Sequence, residues 1–162
     1  MSGIDPILDL LQKDARLTVA DIASRLQLDE REIGKRLERW EADGTILGYQ
    51  AVVDPDRAGD TNVVALIEVK ISPEREGGFD RLAHRIARFD QVRSCHLISG
   101  DYDLAVTVEG NDLREVAQFV AEKLSTMQGV LSTATHFRLK TYKENGLLVE
   151  EQPGNGRLPV TP

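Results

Sequence analysis

A single cysteine, Cys95, among 162 residues leaves this chain without an internal disulfide. That points to a reducing, cytoplasmic setting. Cys95 falls in an apolar-rich strand pattern, the place of a packing residue rather than a reactive thiol. No apolar run approaches the roughly 20 residues that span a bilayer, so no membrane partner is expected. The opening MSGIDPILDLLQKD has acidic residues and no basic start, unlike a secretory signal. His84, His96 and His136 are scattered without metal-ligand spacing, and no metal is expected. There is no Ser/His/Asp arrangement, no glycine-rich phosphate loop and no recurring carboxylate pair. The reading is therefore not an enzyme, with no catalytic residue and no cofactor.

An excess of positive charge is also missing. The net charge is −7. Residues 1–58 hold eight Lys and Arg against twelve Asp and Glu, and residues 59–144 hold eleven against thirteen. A nucleic-acid binder with this balance must gather its cations on one face and present more than one copy of it.

What is present begins with three short helical patterns. Asp5-Pro6 is a cap followed by proline at the first helical position, and Ile4, Ile7, Leu8 and Leu11 repeat as one apolar stripe. Thr18 opens the second helix with Asp21 three residues on, and Val19, Ile22, Ala23 and Leu26 mark its inner face. After a break at Gln27-Leu28, Asp29 caps the third helix with Glu32 at the capping-box position. Ile33, Leu37 and Trp40 mark its buried side, and Gly44 stops it. Arg31, Lys35 and Arg39 fall opposite, four residues apart. Two helices at tight spacing, the second with a basic outer stripe, make a helix-turn-helix. Arg31, Lys35, Arg36 and Arg39 are the expected contacts to double-stranded DNA, with Arg25 of the second helix reaching backbone phosphate. Thr45 to Pro55 is β-rich and fits a wing and a linker strand, and residues 56–62 are polar, a natural boundary.

The second half alternates strand and helix. Val63–Ile71 reads as a strand apolar on both faces at its start. Pro73–Gly78 reads as a loop, and Phe79, Leu82, Ala83 and Ile86 as a helix. Val92–Ile98 and Tyr102–Val108 read as strands joined at Ser99-Gly100-Asp101. Asp112 caps a helix running from Leu113 to Met127, stopped by Gly129, and Val130–Tyr142 reads as a long last strand. The order β-α-β-β-α-β is the ferredoxin-like sandwich. Two helices cover only one face of such a sheet, so a second copy is expected on the other. The fold class is α+β: an N-terminal winged helix-turn-helix plus a C-terminal ferredoxin-like sandwich. The expected boundaries are residues 1–50 for the first domain, 51–61 for a linker strand or hinge, 62–144 for the second domain and 145–162 for a flexible tail.

With both halves in place the chain resembles the Lrp/AsnC family of transcription regulators. The resemblance rests on the third helix and its exit, RLERWEADGTILGY, on the Ser99-Gly100-Asp101-Tyr102-Asp103-Leu104 stretch, and on the β-α-β-β-α-β order. It implies a DNA-binding regulator that pairs through the C-terminal sandwich as a homodimer and assembles further, to tetramer or octamer. It also implies a small effector, typically an amino acid. Gly100, Asp101, Tyr102 and Asp103 match the family's effector loop, and Thr133 and Thr135 stand where members place further contacts. The third helix departs from the family by opening DEREIGKRL where small polar residues are more usual. That acidic opening motivates an alternative, a ligand-sensing oligomeric module whose helix-turn-helix serves protein contacts.

Overall fold

The computed structural model describes residues 3–72 and 79–149. The expected loop at 73–78 and the tail beyond 149 lie outside the described residues. The chain divides into two compact units, 1–52 and 53–162.

The first unit holds α1 (Pro6–Lys13), α2 (Val19–Leu26) and α3 (Glu30–Ala42). Its caps form as their chemistry requires. The Asp5 carboxylate accepts the Ile7 N–H at 2.9 Å. Thr18 and Asp21 satisfy each other's backbone N–H groups, at 3.1 and 2.8 Å. Asp29 accepts from the N–H groups of Arg31 and Glu32. Glu32, expected to return that bond, pairs with Arg36 instead. Ile7, Ile22 and Ile33 meet with no exposed surface, joined by Ala23 and Trp40. One isoleucine from each helix thus fills the centre of the unit.

The expected wing is absent. Residues 45–54 contain no strand. The Ile46 N–H donates to the Trp40 carbonyl at 2.9 Å, and the Tyr49 hydroxyl donates to Glu41 Oε1 at 2.8 Å. The segment has β-forming residues but no second strand in its unit to pair with, and an unpaired strand is unstable in water. Asp54 then caps a single helical turn, α4 (Pro55–Ala58), where proline suits the first position.

The second unit contains β1 (Val63–Ile71), α5 (Asp80–Ala87), β2 (Val92–Leu97), β3 (Leu104–Gly110), α6 (Leu113–Phe119), a π-helical turn (Val120–Leu124) and β4 (Val130–Phe137). The sheet order is β2-β3-β1-β4, and every pairing is antiparallel. This is the ferredoxin-like order expected from the sequence. Ala65, Ile67, Val69 and Ile71 of β1 and Leu104, Val106 and Val108 of β3 face Leu82, Ile86, Val116, Phe119 and Leu124. The other face is only partly apolar. Val64 is half-buried and Leu66 is 43% exposed, but Glu68 and Lys70 follow on the same side. β1 is therefore apolar on both faces only over its first few residues.

Four boundaries differ from the sequence reading. β3 starts at Leu104, leaving Tyr102 and Asp103 in the preceding loop. The long last helix is an α-helix to Phe119 and then widens to a π turn. The last strand ends at Phe137, and the tail does not begin at Asn145. Instead β5 (Lys143–Glu144) and β6 (Leu147–Leu148) pair as a hairpin on Asn145-Gly146, both at positive φ, 45° and 87°. Asn-Gly is the residue pair that two-residue hairpin turns favour, because both positions need the left-handed region.

Candidate DNA-binding and effector sites

The outer face of α3 carries the first candidate site. Arg31, Lys35 and Arg39 are all exposed, and at four-residue spacing they span about 80° of the helix. Ile33 and Trp40 anchor the opposite side in the core. Arg31 and Lys35 have no side-chain partner among the described residues. The Arg39 guanidinium lies 6.0 Å from the Trp40 ring centroid. Arg25 is exposed near the end of α2, one turn beyond Asp21. Hydrogen bonds from Thr18, with the Arg25 charge adding to them, hold the Asp21 carboxyl below its usual range.

Arg36 does not join this face. It is half-buried, its Nη1 lies 3.2 Å from Asp5 Oδ2, and its Nη2 pairs with Glu32. Its side chain braces α3 against the start of α1, so it is a structural residue of the head. Helical spacing already sets Arg36 about 60° beyond the edge of the row, and its partner Asp5, 31 residues away, holds it there.

Between α2 and α3, Gln27 adopts the left-handed conformation with φ 55°. Its N–H and that of Leu28 both return to the Ala23 carbonyl. That closes α2 and sets the tight turn that leads into α3.

The second candidate site lies at one end of the sheet. Gly100 has φ 139°, a region that L side chains avoid, which explains the glycine there. The loop that contains it is fastened to the exit of β1. Lys70 Nζ donates to the Asp101 carbonyl at 2.7 Å. The Asp103 N–H donates to the Val69 carbonyl at 3.1 Å, and the Ile98 N–H to the Asp103 carbonyl at 2.9 Å. Asp103 Oδ2 accepts the Ile71 N–H at 2.8 Å. The expected strand position of Asp103 is thus corrected: it precedes β3, and one carboxylate oxygen is already engaged.

Thr133 stands at the same end. Val69 pairs with Leu104 on one side and with Thr133 on the other. Thr133 is half-buried, with its hydroxyl 3.3 Å from that of Ser125. Thr135 is exposed and opposite Ile67, two residues further along β4, or about 7 Å from Thr133. The loop and Thr133 are therefore brought to one end of the sheet, and Thr135 lies apart. The sequence reading missed Lys70 and Ser125, which carry no local motif.

Cys95 is half-buried with its sulfur 3.9 Å from the Ala83 carbonyl, and burial pushes its thiol up. Among the described residues no group of His, Cys, Asp and Glu could hold a metal ion, and no helix is long and apolar enough to cross a membrane.

Known proteins match this arrangement in both units. Residues 6–41 match the AsnC-type helix-turn-helix domain, and residues 64–148 match the Lrp/AsnC ligand binding domain. The chain is 40% identical over 157 residues to the uncharacterized HTH-type transcriptional regulator YugG of Bacillus subtilis, covering 96% of this chain and 95% of that protein. It is 31% identical over 141 residues to the proline dehydrogenase transcriptional activator of Rhizobium radiobacter, covering 87% and 90%. A solved structure of a transcriptional regulator from Neisseria meningitidis in complex with L-Met superposes with a TM-score of 0.66 at 25% identity, covering 91% of this chain and 97% of that one.

Proposed function

The chain belongs to the Lrp/AsnC family of DNA-binding transcriptional regulators, and we propose that it reads double-stranded DNA through Arg31, Lys35 and Arg39 of paired copies. The observation that carries this is the exposed cationic row on α3, set opposite a helix face anchored by Ile33 and Trp40. Arg25 adds a phosphate contact. A single head with three forward cations on an acidic chain binds weakly. Two or more linked heads turn weak contacts into useful avidity. The second copy is seated on the open face of the sheet, where Val64, Leu66, Ala105 and Ala134 supply the apolar part. Further assembly multiplies the heads, and residues 51–61 serve as the hinge between head and body.

The test is a polarisation assay on duplex DNA over a range of salt. The log of the affinity falls with the log of salt in proportion to the phosphates neutralised, by about 0.9 per contact. Arg31→Ala, Lys35→Ala and Arg39→Ala together are expected to abolish most of that slope. An unchanged slope removes the row from the interface and favours a module whose head contacts protein.

The second part of the reading is a small effector, of amino-acid type, at the sheet end that holds Gly100, Asp101, Tyr102 and Thr133. Asp103 keeps one carboxylate oxygen outside its bond to Ile71, available to an α-amino group. Thr135 is a peripheral contact. An effector that prefers one assembly shifts the spacing of the heads and so the DNA affinity. A thermal shift screen of the twenty amino acids checks it, since a bound ligand stabilises by mass action. No shift with any of them rejects the effector.

A further inference from the structure

The π turn after α6 places a hydroxyl that neither the sequence motif nor the family match assigns. Within Val120–Leu124 the helix widens, and the Ser125 N–H donates to the carbonyl of Val120, five residues back, at 2.8 Å. A π turn takes up one extra residue, which rotates all that follows by about 100° relative to an α-helix. Single π turns of this kind are frequent at functional sites. Here the rotated residue is Ser125, and its hydroxyl lies 3.3 Å from that of Thr133.

We infer that Ser125 is a specificity-determining residue of the effector site, and that with Thr133 it selects an amino acid with a hydrogen-bonding side chain over an aliphatic one. The inference rests on the reading of this end of the sheet as the effector site. Each hydroxyl has one donor and two lone pairs, and the contact between them uses one donor and one lone pair. The pair therefore keeps a donor and further acceptors for a ligand. Among the described residues neither hydroxyl has another partner. The pair lies one strand away from the loop, because Val69 takes the Asp103 N–H on its β3 side and faces Thr133 on its β4 side. The loop, with Asp101 and Asp103, suits the α-amino end of an amino acid. The hydroxyl pair suits a hydroxyl or carboxamide at the other end. A site built to hydrogen-bond a polar group discriminates strongly against an analogue that leaves its own polar atoms unpaired.

The experiment uses the full chain and two probe sets: L-serine, L-threonine, L-asparagine and L-glutamine, against L-leucine, L-isoleucine and L-valine. Binding is read by thermal shift and by titration calorimetry. At least one polar probe is expected to bind more tightly than every aliphatic probe. Ser125→Ala is expected to weaken that binding about tenfold and to close the gap between polar and aliphatic probes. Thr133→Val is expected to do the same, and Ser125→Thr to retain the preference. Ser125 is exposed, so alanine there does not disturb the core. Should Thr133→Val unfold, Thr133→Ser with Ser125→Ala carries the comparison. Aliphatic probes that bind as tightly as polar ones overturn the inference and leave the effector site standing. So does polar binding indifferent to Ser125→Ala. If neither set binds the wild-type chain, this inference falls, and the screen of all twenty amino acids decides the effector site separately.

Discussion

The Asp103 carboxylate accepts the Ile71 N–H at 2.8 Å, at the point where the β1–β4 ladder shifts register between Lys70 and Ile71. The β1–β3 ladder ends at Val69 and Leu104, so this side chain from the β2–β3 loop takes an N–H just beyond it and ties the loop to the exit of β1.

Removing that acceptor leaves a half-buried N–H without a partner. Asp103→Ala is expected to destabilise the chain by about 1–3 kcal/mol, the cost of an unmade bond to a charged group. Asp103→Asn keeps an acceptor oxygen and is expected to lose less than half of that. Urea denaturation followed by circular dichroism measures both. Equal midpoints for wild type and Asp103→Ala would show that the latch contributes nothing.

Arg36 and the forward cations are expected to separate cleanly. Arg36→Ala breaks the bridge between Asp5 and Glu32 and lowers the stability of the head by roughly 0.5–1 kcal/mol, the scale of a partly exposed pair. It leaves the salt slope of DNA binding near its original value. Arg31→Ala or Lys35→Ala is expected to do the reverse. A salt slope that drops as far with Arg36→Ala as with Lys35→Ala contradicts the division.

Gly34 sits inside α3, and a Cβ built there meets nothing within 4 Å. Glycine in a helix interior costs about 1 kcal/mol relative to alanine. Gly34→Ala should therefore raise the melting temperature of the head. Thermal melts with paired DNA titrations read both effects, and a lowered midpoint defeats the argument. A raised midpoint with weakened DNA binding would mark Gly34 as a point of close approach.

Glu109 is expected to contribute to the loss of stability in acid. The hydrogen bond from Arg93 holds its carboxyl below the ordinary range, with Asn62 adding a second donor. A carboxyl lowered in the folded state gives stability that is present above its unfolded pKa and lost as pH falls through the folded one. Stability is expected to fall as pH drops below about 4.3, the ordinary glutamate value. Glu109→Gln should be less stable than wild type near neutrality and should show a shallower loss on acidification. Chemical denaturation midpoints across that pH range decide it.

Most of the architecture is legible locally. The caps at Asp5, Thr18, Asp29 and Asp112 mark helix starts, because a short polar side chain can reach the open N–H groups of the first turn. The alternation through β3 and the stripe Ile33–Leu37–Trp40 state which face is buried before any partner is known. The strand expected after Gly44 fails for a reason of the opposite kind. A strand is a property of a pair, and residues 45–52 have no strand to pair with in their own unit. The Asn145-Gly146 hairpin was legible in the turn chemistry, but it lay inside a stretch whose Pro and Gly content reads as tail.

By itself the sequence determined the helix-turn-helix, the β-α-β-β-α-β order and the cationic row on α3, since each follows from periodicity, capping and turn chemistry within a few residues. Tertiary structure alone decided the rest. It paired Arg36 with Asp5, apart from the exposed row of Arg31, Lys35 and Arg39. It assigned one oxygen of Asp103 to Ile71 and fastened Lys70 to the Asp101 carbonyl. It rotated Ser125 onto Thr133 through a π turn. Each of these depends on which atom a flexible side chain or a widened turn meets once distant segments are packed, and no local pattern encodes that meeting.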